Sequence, residues 1–294
     1  MSIEDDVRAI VEQVLANLHT SETIEDLAEE KEEILPAENS QELPDLTELE
    51  QGKSLLVPVP YNKAFYEQMK KATPARIGVW RAGPRPLTEV YLRFRADHAA
   101  AQDAVLSQIP ADFLERFNFL QLQSACRSKD EHLTRPDLGR LLDEESLTRL
   151  RKEAVPAADV QIIVSDGLSS TAVVENLPNL LPALEQGLQS MGLKTGTPLF
   201  VKYGRVAVMD IIGEELKPKT ALILIGERPG LGNAASLSAY LAYNPRRGML
   251  ENERTVVSNI HRNGTPAPEA GAYLASLLEK VLKARASGVK LASL

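Results

Sequence analysis

The sequence predicts an α/β protein with a helical subdomain over residues 55–155 and a Rossmann-like, largely parallel sheet domain over 156–294. Two observations predict this class. Apolar residues recur at helical spacing in the first range, whereas short apolar runs alternate with helical stretches in the second. Alternating strands and helices favour a parallel sheet that carries its ligand loops at the carboxyl ends of the strands.

Charge is distributed unevenly along the 294 residues, whose formal net charge is -8. Residues 1–54 hold 16 acidic and 3 basic side chains, a net charge of -13, whereas the rest of the chain carries +5. A segment with high charge of one sign and few aromatic residues cannot bury enough apolar surface to fold alone. We therefore predict a disordered acidic linker over residues 20–54.

An amphipathic helix is predicted over residues 1–19, ahead of the linker. Its apolar side chains share one stripe: Ile3, Val7, Ile10, Val11, Val14, Leu15 and Leu18. A helix tethered in this way is a candidate docking peptide for a partner; the alternative is a helix that packs against the body of the protein or frays. Its polar face is acidic, which disfavours binding to a membrane surface.

Four helices are predicted in the helical subdomain: a run after Tyr61, a long helix over 88–106, a short one over 111–117, and one over 144–152. In the long helix, helical spacing brings six side chains onto one face: Val90, Tyr91, Phe94, His98, Ala101 and Val105. We interpret His98 as a packed core residue of that face.

The sheet domain is predicted from its apolar runs. Strands are expected over 160–164, 220–225, 236–243 and 254–259, a hairpin over 198–208 with its turn at Gly204, and helices ending near Leu188 and spanning 268–286. The run ending at residue 225 stops abruptly at a glycine-rich loop, GERPGLG, over 226–232. A buried strand followed by such a loop is typical of ligand crevices in α/β sheets.

Composition excludes several classes of protein. No apolar run approaches the roughly 18 residues needed to cross a bilayer, and the amino terminus lacks a signal-peptide pattern. We therefore expect a soluble protein that has no membrane partner and is not secreted. Cys126 is the single cysteine, no metal-ligand spacing is present, and the 5% aromatic content argues against a nucleic-acid platform. No metal site and no nucleic-acid partner are expected.

The sequence pattern itself indicates two acidic loop residues as candidate ligand contacts. Asp166 and Glu227 each follow a predicted buried strand, so both should reach one crevice if the strands lie in one parallel sheet. Either carboxylate could accept hydrogen bonds from a ligand, or could instead cap the following helix. Neither loop has a GxGxxG or Walker A pattern, so nucleotide binding is not specifically indicated.

Other polar side chains are weaker candidates. Arg81 and Arg85 lie in a stiff basic turn that could grip an anionic ligand or an acidic partner surface, although solvated arginines are as common. His132 and His261 lie among loop-like residues without a second ligand at metal-binding spacing. Cys126 has no activating base nearby in sequence, so a nucleophilic role is not expected.

Five motifs together resemble the small subunit of ethanolamine ammonia-lyase. They occur in the family's order and approximate spacing: RAGPRP at 81–86, LTRPDLGR at 133–140, SDGLS at 165–169, GERPGLG at 226–232 and SNIH at 258–261. The resemblance covers about residues 60–292. The segment ahead of it resembles the family only in kind, as a short amphipathic helix followed by a variable linker.

The resemblance implies an adenosylcobalamin-dependent carbon–nitrogen lyase that converts ethanolamine to acetaldehyde and ammonia by a radical mechanism. It implies that a separate large subunit holds the substrate, that the small subunit covers the cobalamin from the other side, and that six large and six small chains assemble. No catalytic residue is then expected in this chain, and activity requires the large subunit.

Cofactor contacts are carried over by the resemblance onto Val206, Glu227 and Val256. Glu227 is the principal one, since a carboxylate can accept hydrogen bonds from the corrin amides. Val256 replaces a cysteine associated with that position in a relative, so its contact would be through backbone or van der Waals atoms. The helix over 1–19 resembles peptides that direct cargo to bacterial microcompartments, which implies a cytoplasmic location inside such a shell.

Two other functions stay open at this stage. A stand-alone α/β enzyme that binds a nucleotide should bind a cofactor or show activity when purified alone. A non-catalytic scaffold subunit should be dispensable for the activity of the assembled lyase.

Overall fold

The computed structural model describes residues 54–73 and 75–293. The predicted helix over 1–19 and the predicted linker, except for its last residue, lie outside this part of the chain. The described residues form a two-stranded hairpin and a six-stranded sheet with helices on both of its faces. The predicted α/β class is therefore confirmed.

Three helices and a two-stranded hairpin begin the described chain. Their bounds are α1 (Lys63–Ala72), β1 (Arg81–Ala82), β2 (Arg85–Pro86), α2 (Thr88–Leu106) and α3 (Ala111–Glu115). The helix predicted over 88–106 is confirmed in α2, and the one predicted over 111–117 is confirmed in the shorter α3. The basic turn at residues 81–86 is a hairpin that reverses at Gly83, whose φ of 61° glycine adopts without strain.

The main sheet has the strand order β3-β5-β4-β6-β7-β8. Its strands are β3 (Leu120–Gln123), β4 (Val160–Ser165), β5 (Leu199–Lys202), β6 (Thr220–Gly226), β7 (Leu237–Tyr243) and β8 (Thr255–Ile260). The first four in spatial order are parallel, and β7 and β8 add antiparallel pairs at one side. The carboxyl ends of β3, β5, β4 and β6 therefore meet at one edge.

Helices cover the sheet on both faces, because every residue of the central strands β4 and β6 is buried. One face packs against α3, α6 (Ser170–Ser190) and α8 (Ala267–Ala284). The other packs against α5 (Glu144–Glu153) and α7 (Val208–Leu216). Two short α-helices, α4 (Lys129–Thr134) and α9 (Val289–Ala292), and two 3-10 helices, Leu138–Arg140 and Glu251–Glu253, complete the described chain.

The hairpin predicted over 198–208 is wrong. Strand β5 ends at Lys202, the chain turns at Tyr203 with φ 58°, and helix α7 begins at Val208. Val206 and Val208 are β-branched and favour strands, and they concealed the helical spacing of the buried residues that follow. Strand β3 was also not predicted: it lies in the range predicted to be helical, yet pairs in parallel with β5.

The prediction of His98 as a core residue is also wrong. The side of α2 that faces the body of the protein carries Asp97, Ala101 and Ala104, whereas His98 is exposed and stacks against Phe94, with ring centroids 6.4 Å apart. Apolar spacing alone placed the buried face on the wrong residues, because the aromatic side of this helix stays largely exposed and Phe94 is covered in part by the guanidinium of Arg76, 5.8 Å from its ring centroid.

Among residues 54–73 and 75–293, none of the helices is long and apolar enough to cross a bilayer. These residues also hold no group of three or more His, Cys, Asp or Glu side chains placed to bind a metal ion.

Candidate cofactor-contact site

The glycine-rich loop, residues 226–232, leaves the carboxyl end of β6 and returns as β7. A Cβ atom at Gly226 would overlap the carbonyl oxygen of Ser169 and lie 2.6 Å from that of Asp166, so only glycine fits. The Glu227 N–H donates to the carbonyl of Ser236 at 3.0 Å, which starts the β6–β7 pairing. The loop therefore projects Glu227 from a fixed backbone position.

Glu227 is held from one side by Tyr240. The phenolic hydroxyl of Tyr240 donates to Oε1 of Glu227 at 2.8 Å, and both side chains are half-buried. Burial, followed by this hydrogen bond and the charge of the carboxylate, raises the pKa of Tyr240, so the phenol remains a donor. Among the described residues none donates to Oε2, which leaves that oxygen available to a ligand.

Val256 lies beside this pair. It stands directly opposite Tyr240 in the β7–β8 ladder, and residues so paired share one face of the sheet. Its side chain is 48% exposed, so its apolar surface is available for contact. Glu227, Tyr240 and Val256 therefore lie near one another on the α5 and α7 face.

A buried ion pair fixes the start of β8. Both Asp210 oxygens accept hydrogen bonds from one guanidinium nitrogen of Arg254, at 2.8 and 2.6 Å, and both residues are buried. Asp210 belongs to α7, so the pair joins that helix to the strand that carries Val256. Burial raises the pKa of Asp210, and the guanidinium opposes this shift.

Val206 lies on the same face, in the turn that leads from β5 into α7. It is half-buried and packs, as Tyr240 does, against the hydrophobic cluster of that face. Its carbonyl accepts a hydrogen bond from the Met209 N–H at 3.2 Å, so it forms part of the first turn of α7. The three residues named from the resemblance thus occupy one face of the sheet, in three segments distant in sequence.

Positive charge surrounds the turn at Val206. Burial lowers the pKa of Arg205, and the nearby charges of Arg228 and Arg140 lower it further. One guanidinium nitrogen of Arg205 donates to the His132 carbonyl at 2.6 Å, while its buried Nε has no partner within the described structure. The basic groups favour an anionic ligand group at this edge.

Asp166, the other acidic candidate, points into the protein. Its Oδ1 accepts the Tyr203 N–H at 2.7 Å and the Ser165 hydroxyl at 3.3 Å, and the residue is buried. Desolvation raises its pKa to about 6. The helix α6 is capped instead by Ser169, whose Oγ accepts the Ala172 N–H at 3.1 Å. Asp166 therefore orders the turn after β5, and Glu227 is the more accessible acid.

His132 joins the loops that follow β4 and β5. Its Nδ1 lies 2.9 Å from the Tyr203 carbonyl and its Nε2 lies 2.9 Å from the Gly167 carbonyl, and it is fully buried in α4. Burial, then the charges of Arg205 and Lys129, lower its pKa to about 4. A neutral imidazole has one N–H, so it hydrogen-bonds one carbonyl at a time. The sequence pattern missed this role because the contacts join three separate segments.

The structure does not support a catalytic role for the remaining candidate residues. Cys126 is fully buried, and burial raises the pKa of its thiol, which disfavours the reactive thiolate. Arg81 and Arg85 are exposed on the hairpin, and His261 lies in a turn where its Nδ1 accepts the Asn263 N–H at 3.2 Å.

Tyr240 is the site residue that sequence reasoning missed. It occurs within an apolar strand, where a tyrosine is normal packing. The one available signal was its predicted place on the strand after the Glu227 loop, since adjacent antiparallel strands bring such positions together.

Comparison with known proteins agrees with the motifs. The family model described as "Ethanolamine ammonia-lyase light chain (EutC)" matches residues 63–292. Similar proteins named ethanolamine ammonia-lyase small subunit occur in Clostridium tetani, 50% identical over 293 residues (99% of each chain), and in Listeria monocytogenes strain EGD-e, 45% identical over 292 residues (98% of this chain, 99% of the relative). A third, from Clostridioides difficile strain 630, is 45% identical over 295 residues, 98% of this chain and 99% of its own. The chain belongs to the ethanolamine ammonia-lyase light chain family.

Proposed function

We propose that this chain supplies one wall of the cobalamin site in an adenosylcobalamin-dependent ethanolamine ammonia-lyase, a carbon–nitrogen lyase that releases acetaldehyde and ammonia and is active only with its large subunit. The observation that carries the proposal is the partly unpaired carboxylate of Glu227. Tyr240 donates to one of its carboxylate oxygens, no described residue donates to the other, and the exposed Val256 lies opposite Tyr240 in the β7–β8 ladder.

The residues present fit such a cofactor. The free Oε2 of Glu227 can accept a hydrogen bond from a corrin amide, while Val206 and Val256 offer apolar surface to the macrocycle. The glycine-rich loop includes Gly232, where an added Cβ would have no atom within 4 Å, so a flat ligand can approach its backbone. The charges of Arg205 and Arg228 suit an anionic group of the cofactor.

The residues of this chain would bind the cofactor and orient it. When bound, adenosylcobalamin supplies the radical chemistry of the reaction. Glu227, oriented by Tyr240, would fix one edge of the corrin by hydrogen bonding. Val206 and Val256 would exclude water from the covered face. The single cysteine, Cys126, is buried and has a raised thiol pKa, which supports a division of labour in which the large subunit binds ethanolamine.

The test is co-expression with the large subunit, followed by the absorption spectrum of bound cobalamin and an ethanolamine deamination assay. Glu227→Ala should assemble normally, retain at least tenfold less cobalamin, and lose activity at limiting cofactor. Glu269→Ala, an exposed glutamate on α8, is the matched control and should behave as wild type. Normal cobalamin retention in Glu227→Ala would show that Glu227 is not the principal cobalamin contact. Cofactor-dependent activity of this chain alone would instead favour a stand-alone enzyme, and full activity of the large subunit alone would favour a scaffold.

We also propose the finer assembly and location that the resemblance implies. Six large and six small chains would give a complex whose mass light scattering can measure. Residues 1–19 would direct this complex into a bacterial microcompartment. Deletion of residues 2–19 should abolish encapsulation without loss of activity in the purified complex, and unchanged encapsulation would refute the targeting role.

A further inference from the structure

Three arginines lie at the carboxyl edge of the main sheet, and we call them the arginine cluster. Arg205 lies in the turn after β5, and Arg228 follows Glu227 in the glycine-rich loop after β6. Strands β5 and β6 run parallel on either side of β4, so both segments emerge at the same edge. Arg140, the last residue of the 3-10 helix Leu138–Arg140, completes the cluster.

Hydrogen bonds hold the segments of the cluster together. The Arg205 N–H donates to the carbonyl of Gly139 at 2.7 Å, which places Arg140 beside the turn after β5. The Arg205 guanidinium donates to the His132 carbonyl at 2.6 Å. Burial lowers the pKa of Arg205, and the charges of Arg228 and Arg140 lower it further. The three guanidinium groups are therefore close enough to interact.

No acid pairs with the cluster in the described structure. Within residues 54–73 and 75–293, none of its three arginines forms an ion pair, and Arg140 and Arg228 form no side-chain hydrogen bond. Other exposed arginines do pair: Arg151 and Arg247 each lie 2.7 Å from a glutamate oxygen. Because like charges without a counter-charge repel one another, an anionic ligand would lower the electrostatic energy of the cluster.

The guanidinium of Arg205 is fixed in position but incompletely hydrogen-bonded. Its side chain is half-buried, and the His132 carbonyl holds one of its terminal nitrogens. The buried Nε and the second terminal nitrogen form no hydrogen bond with a described residue. Buried polar groups in proteins nearly always have a partner, and an exception calls for one, such as a bound ion. This second observation also indicates an anionic ligand.

The chemistry of the cluster and its place in the chain narrow the choice of anion. A planar guanidinium can form two parallel hydrogen bonds with two oxygens of a phosphate group. Val206 and Glu227, the proposed corrin contacts, are the immediate neighbours of Arg205 and Arg228 in the sequence. The side-chain amides of the corrin are neutral, whereas the phosphodiester that joins the nucleotide tail to the corrin is anionic. A single ligand could therefore supply both groups.

We propose that the arginine cluster binds the phosphodiester in the nucleotide tail of cobalamin. The proposal rests on the proposed function, because it takes the cofactor from that function. It adds a second point of attachment: Glu227 would bind a neutral amide of the corrin, and the cluster would bind the charged tail. Inorganic phosphate is the competing occupant, since it offers similar oxygens.

Two cofactor analogues isolate the contribution of the phosphodiester. Adenosylcobinamide lacks the nucleotide tail, whereas adenosylcobinamide methyl phosphate keeps a phosphodiester without the ribose and base. Equilibrium dialysis of the complex with the large subunit gives the ratio of the two affinities. In Arg140→Ala/Arg228→Ala the preference for the diester analogue should fall about tenfold or more, because charged hydrogen bonds are lost. An unchanged preference, or an equal loss of affinity for both analogues, would overturn the proposal.

The control changes the same amount of charge at the opposite edge of the sheet. Arg246 and Arg247 are exposed and follow β7, which is antiparallel to β6. Arg246→Ala/Arg247→Ala should keep the wild-type preference, and a similar fall in this control would reduce the effect to net charge and overturn the proposal. If the cluster variant fails to assemble, Arg228→Ala alone must still lower the preference. Arg228→Lys should lower it less, since it keeps the charge.

Inorganic phosphate tests the competing occupant. If phosphate raises the unfolding temperature of the isolated wild-type chain while the complex shows no preference for the diester analogue, the cluster binds free phosphate and the proposal fails. Failure of the proposed function looks different. Glu227→Ala should weaken binding of both analogues equally, because both contain the corrin amides. Wild-type affinity of Glu227→Ala for both would remove the corrin contact, whereas the arginine variants test the diester preference alone.

Discussion

The hydroxyl of Tyr240 donates a 2.8 Å hydrogen bond to Oε1 of Glu227, thirteen residues earlier in the chain. The β6–β7 pairing makes this contact possible, because it returns the chain alongside the strand that ends at the glycine-rich loop. The hydrogen bond restricts the rotamers of an otherwise partly exposed carboxylate. Glu227 therefore loses less side-chain conformational entropy when it binds a ligand, which lowers the free-energy cost of binding.

Removing the Tyr240 hydroxyl should therefore weaken cofactor retention without affecting assembly. Loss of one hydrogen bond costs about 1 kcal/mol, so we expect Tyr240→Phe to release cobalamin roughly three- to tenfold more readily. Equilibrium dialysis of the assembled complex measures this. The control is Tyr243→Phe on the same strand, whose hydroxyl has no hydrogen-bond partner in the described part of the chain. Equal retention in the two variants would refute the orienting role.

Buried Asp166 should give stability a distinctive pH dependence. Desolvation raises its pKa to about 6 from 3.8, so the folded protein keeps a proton that the unfolded chain has released. Its favourable contribution is present below pH 3.8 and is lost as the pH rises through 6. Relative to wild type, Asp166→Asn should gain about 1 to 3 kcal/mol between pH 4 and pH 7. Urea unfolding at several pH values measures this; a constant difference would contradict it.

His132 should produce the opposite slope. Burial lowers its pKa to about 4 from 6.5, so its contribution to stability is complete above pH 6.5 and is lost as the pH falls through 4. Wild type should therefore become less stable relative to His132→Gln as the pH drops from 7 to 4. The same urea titration checks this, and parallel pH profiles of the two proteins would exclude a neutral buried imidazole.

Replacing only one partner of the ion pair between Arg254 and Asp210 should substantially lower the free energy of unfolding. Arg254→Met leaves a buried carboxylate without its guanidinium, and such changes cost about 3 to 5 kcal/mol. The loss should be smaller at acidic pH, where the unpaired Asp210 takes up a proton. Adding Asp210→Asn removes the uncompensated charge and should restore part of the stability. Thermal unfolding of the single and double variants tests this, and a double variant less stable than Arg254→Met would argue against it.

A methyl group at Gly226 should disturb the start of the glycine-rich loop. The Cβ of Gly226→Ala would overlap the Ser169 carbonyl, so the backbone must shift, at a cost of about 1 to 3 kcal/mol. Gly232→Ala, in the same loop, adds a Cβ with no atom within 4 Å and should be tolerated. Both variants can be compared by thermal unfolding, and similar unfolding temperatures would show that the close approach at Gly226 is unimportant.

Local patterns predicted most elements of the main sheet. The runs at 160–164 and 220–225 are apolar on both faces because their strands lie in the middle of the sheet, and they are confirmed as β4 and β6. Local patterns failed for β3, a four-residue edge strand, and for α7, whose start has strand propensity. In both places pairing or packing with distant segments overrides the local signal.

The sequence alone determined the class of fold, the glycine-rich loop and, through its motifs, the family. These depend on local periodicity, on backbone conformations that few residues adopt, and on residue order. The tertiary structure decided that Asp166 and His132 turn inward, that Tyr240 holds Glu227, and that Val206 and Val256 share its face of the sheet. Such relations depend on strand order and register, which bring residues up to about 50 positions apart onto one surface and which no local stretch of sequence encodes.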